Sequence, residues 1–383
     1  MNKIVTIHLG AITTAAVLLA GCAQTPEPVA QGPVCGDDLS QPAADKLSQI
    51  RQQAGLAPSI ASSQLQQAAY HHAHYLAEQE SNAHAQNHQH VAFSGATPGE
   101  RAHAAGFANP YVAEAITTYN ANQTPHVLDR ATEDLMAGIY HRFLLLDWTR
   151  TEVGVSCAGD DFAAFVYKLG DSEARMPKPQ DGRTALWPAP DSQDVPPVFF
   201  DEQPDPLPGQ TFSGYPVSVQ FNPALYPDPP QSVTLTIYAK GQDNPLAAHP
   251  LLSAANDPNG LLTPHQYALF PKQRLEWGQR YRVELSYQAE QRNTQQWWFT
   301  TKALDKPLVV LEDTPTSVEM SAGEPFVIYA QPDQPGAWSI TRQTSGRLEL
   351  DVEYIDPHTV MLTPQGQGSG TVELNGQRLR LRI

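Results

Sequence analysis

The chain reads as an α+β protein: a first domain of helices over a short antiparallel sheet, then two all-β domains. Three observations predict this. Apolar residues recur at helical spacing between Ser40 and Phe143. The period then changes to two, or to continuous apolar runs, from Val153 to Leu169. After a Pro-, Asp- and Gln-rich stretch at 171–205 the helical period does not return. Helices first, with strands after them, point to layered α+β construction, and 383 residues suffice for several domains, each with its own core.

Each element has a local reason. Ser40 heads a helix with Leu47, Ile50 and Ala54 on one face, and Gly55 stops it. Ser62 or Ser63 caps a second helix, whose apolar face is Leu65, Ala68, Ala69, His72 and Leu76. Thr97 and Glu100 form a capping box with Pro98 at the first helical position, and that helix ends near Gly106. A fourth helix carries Leu128, Ala131, Leu135, Ile139 and Phe143 on one side. Val153-Gly154-Val155 and the run Phe162 to Leu169 are neighbouring strands, joined by the turn Gly159-Asp160-Asp161. Residues 171–205 read as a linker or an extended wrap. From 206 to 303, strands at Val217, Val233, Tyr281 and Gln296, separated by Pro, Gly and Asn clusters, suggest a β-sandwich. Residues 304–383 read as a smaller all-β unit, with Asn375-Gly376 as a two-residue hairpin turn.

The first 21 residues read as a signal segment. Lys3 supplies the positive start, Ile4 to Ala20 is apolar but short for a membrane span, and Leu19-Ala20-Gly21-Cys22 resembles a bacterial lipobox. Processing there leaves Cys22 as the lipidated N-terminus, with acyl chains holding the protein on a membrane. By resemblance to enterobacterial lipoproteins, Ala23 in place of an Asp implies the outer membrane. Residues 22–34, with Pro26, Pro28 and Pro33, form a tether. The remaining cysteines, Cys35 and Cys157, are expected to pair in an oxidising compartment. A formal net charge of −16 argues against nucleic acid or anionic lipid surfaces as partners.

Chemistry concentrates between Gln66 and Leu169, which hold nine of the thirteen histidines. Glu114 sits between two alanines beside Ile116, where a carboxylate needs a partner or a task. His71, His72 and His74 lie on or near an apolar helix face and read as packing residues. His84, His88 and His90 lie in an Asn- and Gln-rich loop that is otherwise a solvated stretch. There is no phosphate-cradling Gly loop and no Gly-x-Ser-x-Gly elbow. The tryptophans of the β units, Trp187, Trp277, Trp297, Trp298 and Trp338, read as core and interface residues.

Four pieces in order resemble the CAP superfamily of cysteine-rich secretory, antigen-type and pathogenesis-related proteins, in its bacterial branch. They are Ala54-Gly55-Leu56-Ala57-Pro58 with Leu65 and Ala68-Ala69; Phe93-Ser94-Gly95-Ala96-Thr97-Pro98-Gly99-Glu100-Arg101 with Ala105-Gly106-Phe107; Ala113-Glu114-Ala115-Ile116; and Tyr140-His141-Arg142 with Leu145-Leu146. Together they cover about a third of the chain. The resemblance implies an α-β-α sandwich over residues 35–170, with a groove lined by two histidines and two acids that in some members hold a divalent metal. Carried onto this sequence, it implies His84 as the first histidine, with His90 as the second choice, and Glu114 as the acid. Glu133 is the nearest stand-in for the second acid. Asp160-Asp161-Phe162-Ala163-Ala164 supplies no second histidine. His141, Arg142 and Arg101 are expected to line the groove. Leu275, Gly278 and Tyr281-Arg282-Val283, followed by Trp298-Phe299-Thr300-Thr301, resemble bacterial Ig-like modules, with Tyr281 as a corner tyrosine.

The function this predicts is a membrane-anchored, extracytoplasmic module whose groove takes a ligand, with the β domains as spacers or docking surfaces for envelope partners. Imidazoles and a carboxylate converging on one point can hold Zn²⁺ through His84, His90 and Glu114. The alternative is a hydrolase of peptide or nucleic acid using His84 and Glu114.

Overall fold

The computed structural model describes residues 4–5, 35, 39–120, 127–159, 162–311, 316–330, 340–356, 359–374 and 377–383. Cys22, expected to carry the lipid, the expected tether, Asp160-Asp161, Asn375-Gly376 and Trp338 lie outside them, as does the expected signal segment except Ile4–Val5. The chain divides into two compact units, residues 31–303 and residues 1–30 with 304–383.

The first unit opens with the predicted α+β domain. Its helices are α1 (Ser40–Gln53), α2 (Ser63–Gln79), α3 (Pro98–Ala104), α4 (Val127–Ala137) and α5 (Ile139–Leu145). They enclose a four-stranded sheet ordered Ile60–Ala61, Glu152–Ala158, Phe162–Gly170, Ala113–Asn120. Alternation along the strands divides the two faces. Val153, Val155, Phe165, Tyr167, Leu169 and Ala115 pack with Leu47, Ile50 and Leu135 of α1 and α4. Ile116, Ala164 and Val166 pack with Ala69, Ala73 and Leu76 of α2. The result is an α-β-α sandwich.

Alanines on α2 let the helix lie close to the sheet. Gly154 completes the fit: a Cβ there would stand 2.0 Å from the Gln66 nitrogen. Burying Leu65 and Leu76 stabilises the packing by about 1.5–3 kcal/mol each. Ser62 caps α2, its hydroxyl accepting from Leu65 N at 3.5 Å, and Thr97 caps α3, accepting from Glu100 N at 3.2 Å. Ser40 does not cap α1; its Oγ accepts from Val155 N at 3.3 Å and pins the helix to the sheet. Cys35 and Cys157 form a disulfide with Cα atoms 5.3 Å apart.

The fourth predicted helix is two helices. Gly138 is extended (φ −68°, ψ 136°) and separates α4 from α5. The reason comes from a distant residue. The Glu202 carboxylate accepts the freed N–H groups of Ile139, Tyr140 and His141. A Cβ on residue 138 would stand 2.6 Å from Glu202 Oε2.

The stretch at 171–205, read as a linker or an extended wrap, supplies strands to both sheets of the next domain. Thr184–Trp187 joins the sheet of Leu252–Ser253, Gln266–Leu269 and Val217–Phe221, pairing with the last of these. Ser192–Val195 joins Gln231–Ala239, Arg280–Gln288 and Arg292–Thr301. The two sheets close over Val217, Val219, Phe221, Leu235, Ile237, Val283, Leu285, Trp297 and Phe299. Tyr281 is the predicted corner residue, its hydroxyl accepting from Glu276 N at 2.8 Å. This sandwich also packs on the first domain. Ile139 and Phe143 of α5 share a cluster with Phe199, Leu252, Leu262 and Phe270.

In the second unit, strands Leu308–Leu311, Phe326–Ala330, Thr359–Gln365 and Glu349–Asp356 form one sheet. Thr316–Glu319, Gln377–Arg382, Gly368–Leu374 and Ile340–Gly346 form the other, with Ile4–Val5 at its edge. Phe326, Ile328, Val360, Leu362, Val372, Leu379 and Leu381 fill the space between them.

Candidate functional site

Strand register builds the site. Glu114 stands in direct register with Lys168 on the antiparallel neighbour, and both face α2. Both side chains are almost fully buried, at 1 % and 0 % exposure. Lys168 Nζ donates to Glu114 Oε2. From α3, Arg101 Nη2 donates to both carboxylate oxygens, at 2.9 and 3.0 Å. Arg101 also binds the carbonyls of His84 (2.8 Å), Gly95 (3.0 Å) and Ala96 (3.3 Å), stitching the loop over the carboxylate. Gly95 permits that approach, since a Cβ there would meet Arg101 N at 2.8 Å.

Two imidazoles complete the arrangement. His84 Nδ1 donates to Glu114 Oε1 at 2.9 Å, while half of its side chain is open to solvent. Nδ1 is held by this bond, and Nε2 takes no part in it. His72, on the buried face of α2, has Nε2 3.4 Å from the same oxygen. Gln86 Nε2 lies 2.9 Å from His72 Nδ1, and Gln86 Oε1 accepts from Ser94 N at 2.7 Å. The amide nitrogen therefore donates, Nδ1 accepts, and the network assigns the neutral ring's proton to Nε2, facing the carboxylate.

The electrostatics follow from burial and neighbours. Burial pushes the Glu114 carboxyl upward, but the His84 hydrogen bond, then Lys168, His72 and Arg101, outweigh it and hold the pKa at about 2. Burial pulls His72 down to about 3; Glu114 opposes this and Arg101 and Lys168 add to it. Burial likewise lowers Lys168 to about 8. At neutral pH the centre holds one carboxylate against two fixed cations and a neutral ring.

His84, Glu114 and Arg101 meet in one cluster. His90 does not join them. Its ring nitrogens contact Gln79 Nε2 at 2.9 Å and Ala92 N at 3.1 Å, at the far end of α2. His141 and Arg142 line no part of this cluster. His141 Nδ1 bonds Glu202 Oε2 at 2.9 Å. Arg142 is fully buried against the β-sandwich, donating to Met136 O (2.7 Å), Pro216 O (2.7 Å) and Ser218 Oγ (3.2 Å) over the Tyr215 ring. Glu133, on α4, belongs to the opposite face of the sheet from Glu114; burial raises its pKa.

Sequence reasoning missed His72, Gln86 and Lys168 as members of the site. Lys168 had a signal: it is the one charged residue in a strand of otherwise buried apolar side chains.

A metal does not fit this arrangement. Arg101, Lys168 and His84 already bond the Glu114 oxygens, and a divalent ion beside them would face two buried cations. Among the described residues no group of three or more His, Cys, Asp or Glu is disposed to hold a metal ion. Among them, too, no helix is long and apolar enough to cross a membrane.

Residues 44–168 match the model of the Cysteine-rich secretory protein (CAP) family. No curated protein matches. Among solved structures, an outer surface protein of Borrelia burgdorferi is 17% identical, with TM-score 0.30, over 35% of this chain and 96% of that one. An extracellular SCP-domain protein of Bacillus anthracis str. Ames is 18% identical, with TM-score 0.28, over 34% and 40%. The tandem Ig repeats of Dlar are 10% identical, with TM-score 0.17, over 52% and 97%.

Proposed function

We propose, for a chain whose residues 44–168 match the CAP family model, a ligand-binding role at the outside of the cell, on an outer membrane to which Cys22 is acylated. One observation carries the binding role. His84 is fixed through Nδ1 on a buried carboxylate while half of its side chain is open to solvent. A half-exposed imidazole held this way is a prepared hydrogen-bonding group, with little orientational freedom to lose when a ligand arrives. The lipobox-like Leu19-Ala20-Gly21-Cys22 and the Cys35–Cys157 disulfide support an extracytoplasmic address.

The hydrolase reading has one observation in its favour. A carboxylate bonded to one ring nitrogen, with the other nitrogen open, is the base-and-orienter half of a nucleophilic site. Glu114 would orient and His84 would take the proton. Glu114 itself exchanges no proton near neutrality, because its neighbours hold it ionised.

The test uses the full chain and its acyl-free form. Cys22→Ala should abolish palmitate incorporation and move the protein to the soluble fraction. The acyl-free form should bind isolated cell envelopes, at least tenfold more weakly after His84→Ala and unchanged after His90→Ala. Equal binding by all three forms would remove His84 from the ligand surface, and unchanged fractionation of Cys22→Ala would remove the anchor.

A further inference from the structure

We infer that a notch between the first turns of α2 and the strand Glu152–Ala158 is a second binding site, one that takes a neutral sugar ring. It is separate from the His84–Glu114 cluster, since neither residue lines it.

Unequal strand lengths create the notch. Ile60–Ala61 pairs only with Glu152 and Val153, so from Val155 onward the longer strand has no described strand beside it on that edge. Ser40 Oγ accepts the Val155 N–H in its place. Gly154 lets the backbone of α2 come down beside the same strand. What remains between them is a cavity of about 290 Å³, at the small end of the roughly 300–1,000 Å³ typical of ligand sites.

The lining selects the ligand. Among the described residues that form it there is no Asp, Glu, Lys or Arg, so a charged ligand would give up its hydration without meeting a countercharge. Gln66 and Gln67 bring carboxamides from α2, and Ser156 brings a hydroxyl from the strand, above a buried Val155. These groups both donate and accept, as do the hydroxyls of a sugar. A wholly apolar ligand would cover polar groups it cannot pair. Tyr70 supplies a flat surface. Its side chain is 49 % exposed, and its ring is braced by His74 at 4.2 Å and His71 at 5.6 Å between centroids. An exposed ring held in this way can pack against the C–H face of a pyranose, with little freedom to lose when it does so.

The experiment uses the acyl-free full chain, Cys22→Ala, titrated by calorimetry with chitotetraose and maltotetraose, both neutral, and with the anionic tetragalacturonate. At least one neutral tetrasaccharide is expected to bind saturably, at least tenfold tighter than tetragalacturonate. Tyr70→Ala and Gln67→Ala should each weaken it at least tenfold. Tyr70→Phe, which keeps the ring, should stay within threefold, and His90→Ala should change nothing. Tyr70 and Gln67 are exposed on α2, and near-ultraviolet circular dichroism checks that each variant is folded. Should Tyr70→Ala fail to fold, Gln67→Ala is read by the same tenfold criterion. Binding of neither neutral sugar, equal binding of tetragalacturonate, or binding that folded variants at Tyr70 and Gln67 leave untouched overturns the inference. None of these results bears on envelope binding through His84.

Discussion

Glu114 and Lys168 face each other across an antiparallel strand pair, in register and out of contact with water, with Arg101 closing the other side of the carboxylate. Glu114→Gln removes the only anion from this centre and leaves two buried cations without a countercharge. Removing one partner of a buried pair costs roughly 3–5 kcal/mol. Urea unfolding of the single variant should show a loss of that size. Lys168→Met placed on top of Glu114→Gln should recover part of it. A loss near the roughly 0–1 kcal/mol typical of surface pairs would mean the cluster is solvated.

Stability should fall on acidification in two overlapping stages. His72 is neutral in the fold, with its pKa near 3 against the ordinary 6.5, so protons favour the unfolded chain. Its contribution is complete above pH 6.5 and lost as the pH drops toward 3. Glu114, held near 2 against 4.5, adds a loss from pH 4.5 downward. Lys168 works at the other end. With its folded pKa near 8 against 10.5, stability rises between those values as the buried ammonium discharges. Denaturant curves at pH 7, 5 and 3.5 would show the acid limb, and His72→Leu should flatten its upper part. An acid limb of unchanged slope in His72→Leu would assign that loss to other groups.

Gly154→Ala tests the contact between α2 and the sheet. The added methyl meets the Gln66 nitrogen at 2.0 Å and the Leu65 carbonyl carbon at 2.2 Å, both backbone atoms that cannot rotate away. Overpacking of this kind costs about 1–3 kcal/mol. Because α2 carries His72, the amide resonances of Gln86 and Ser94 should shift too. A melting temperature equal to wild type would show that the helix can slide.

Glu202→Ala tests the junction between the first domain and the β-sandwich. It removes the acceptor for the first N–H groups of α5 and for His141, a loss of roughly 1–3 kcal/mol. Trp148 reports on the first domain and Trp297 on the sandwich. Their fluorescence transitions should move down together in denaturant. A shift confined to Trp148 would mean the domains unfold independently.

The sequence carried much of this, for identifiable reasons. Ser62 and Thr97 announced their helices because capping is local chemistry. Glu114 was visible because a carboxylate among alanines is conspicuous, and His84 through the family resemblance, which singled it out from an otherwise solvated loop. Lys168 stood out as the one charge in an apolar run, but its partner did not, since register, which brings it opposite Glu114, is a property of two strands rather than one. His72 fits an apolar helix face whether or not a carboxylate lies beneath it. The break at Gly138 was masked because Ile139 and Phe143 continue the helical period of Ala131 and Leu135. Its cause, Glu202, lies in a stretch whose composition suggested a linker. Proline and aspartate content reported a lack of helix there, and said nothing against short strands.

Arg142 has one further consequence. A fragment trimmed at residue 170, the natural choice for isolating the histidine-bearing module, would strip the carbonyl of Pro216 and the hydroxyl of Ser218 from a charge that is buried in the whole protein. It would also bare Ile139 and Phe143. Such a fragment would present a sticky, positively charged scar, and anything it captured would have to be checked against the intact chain before being credited to His84.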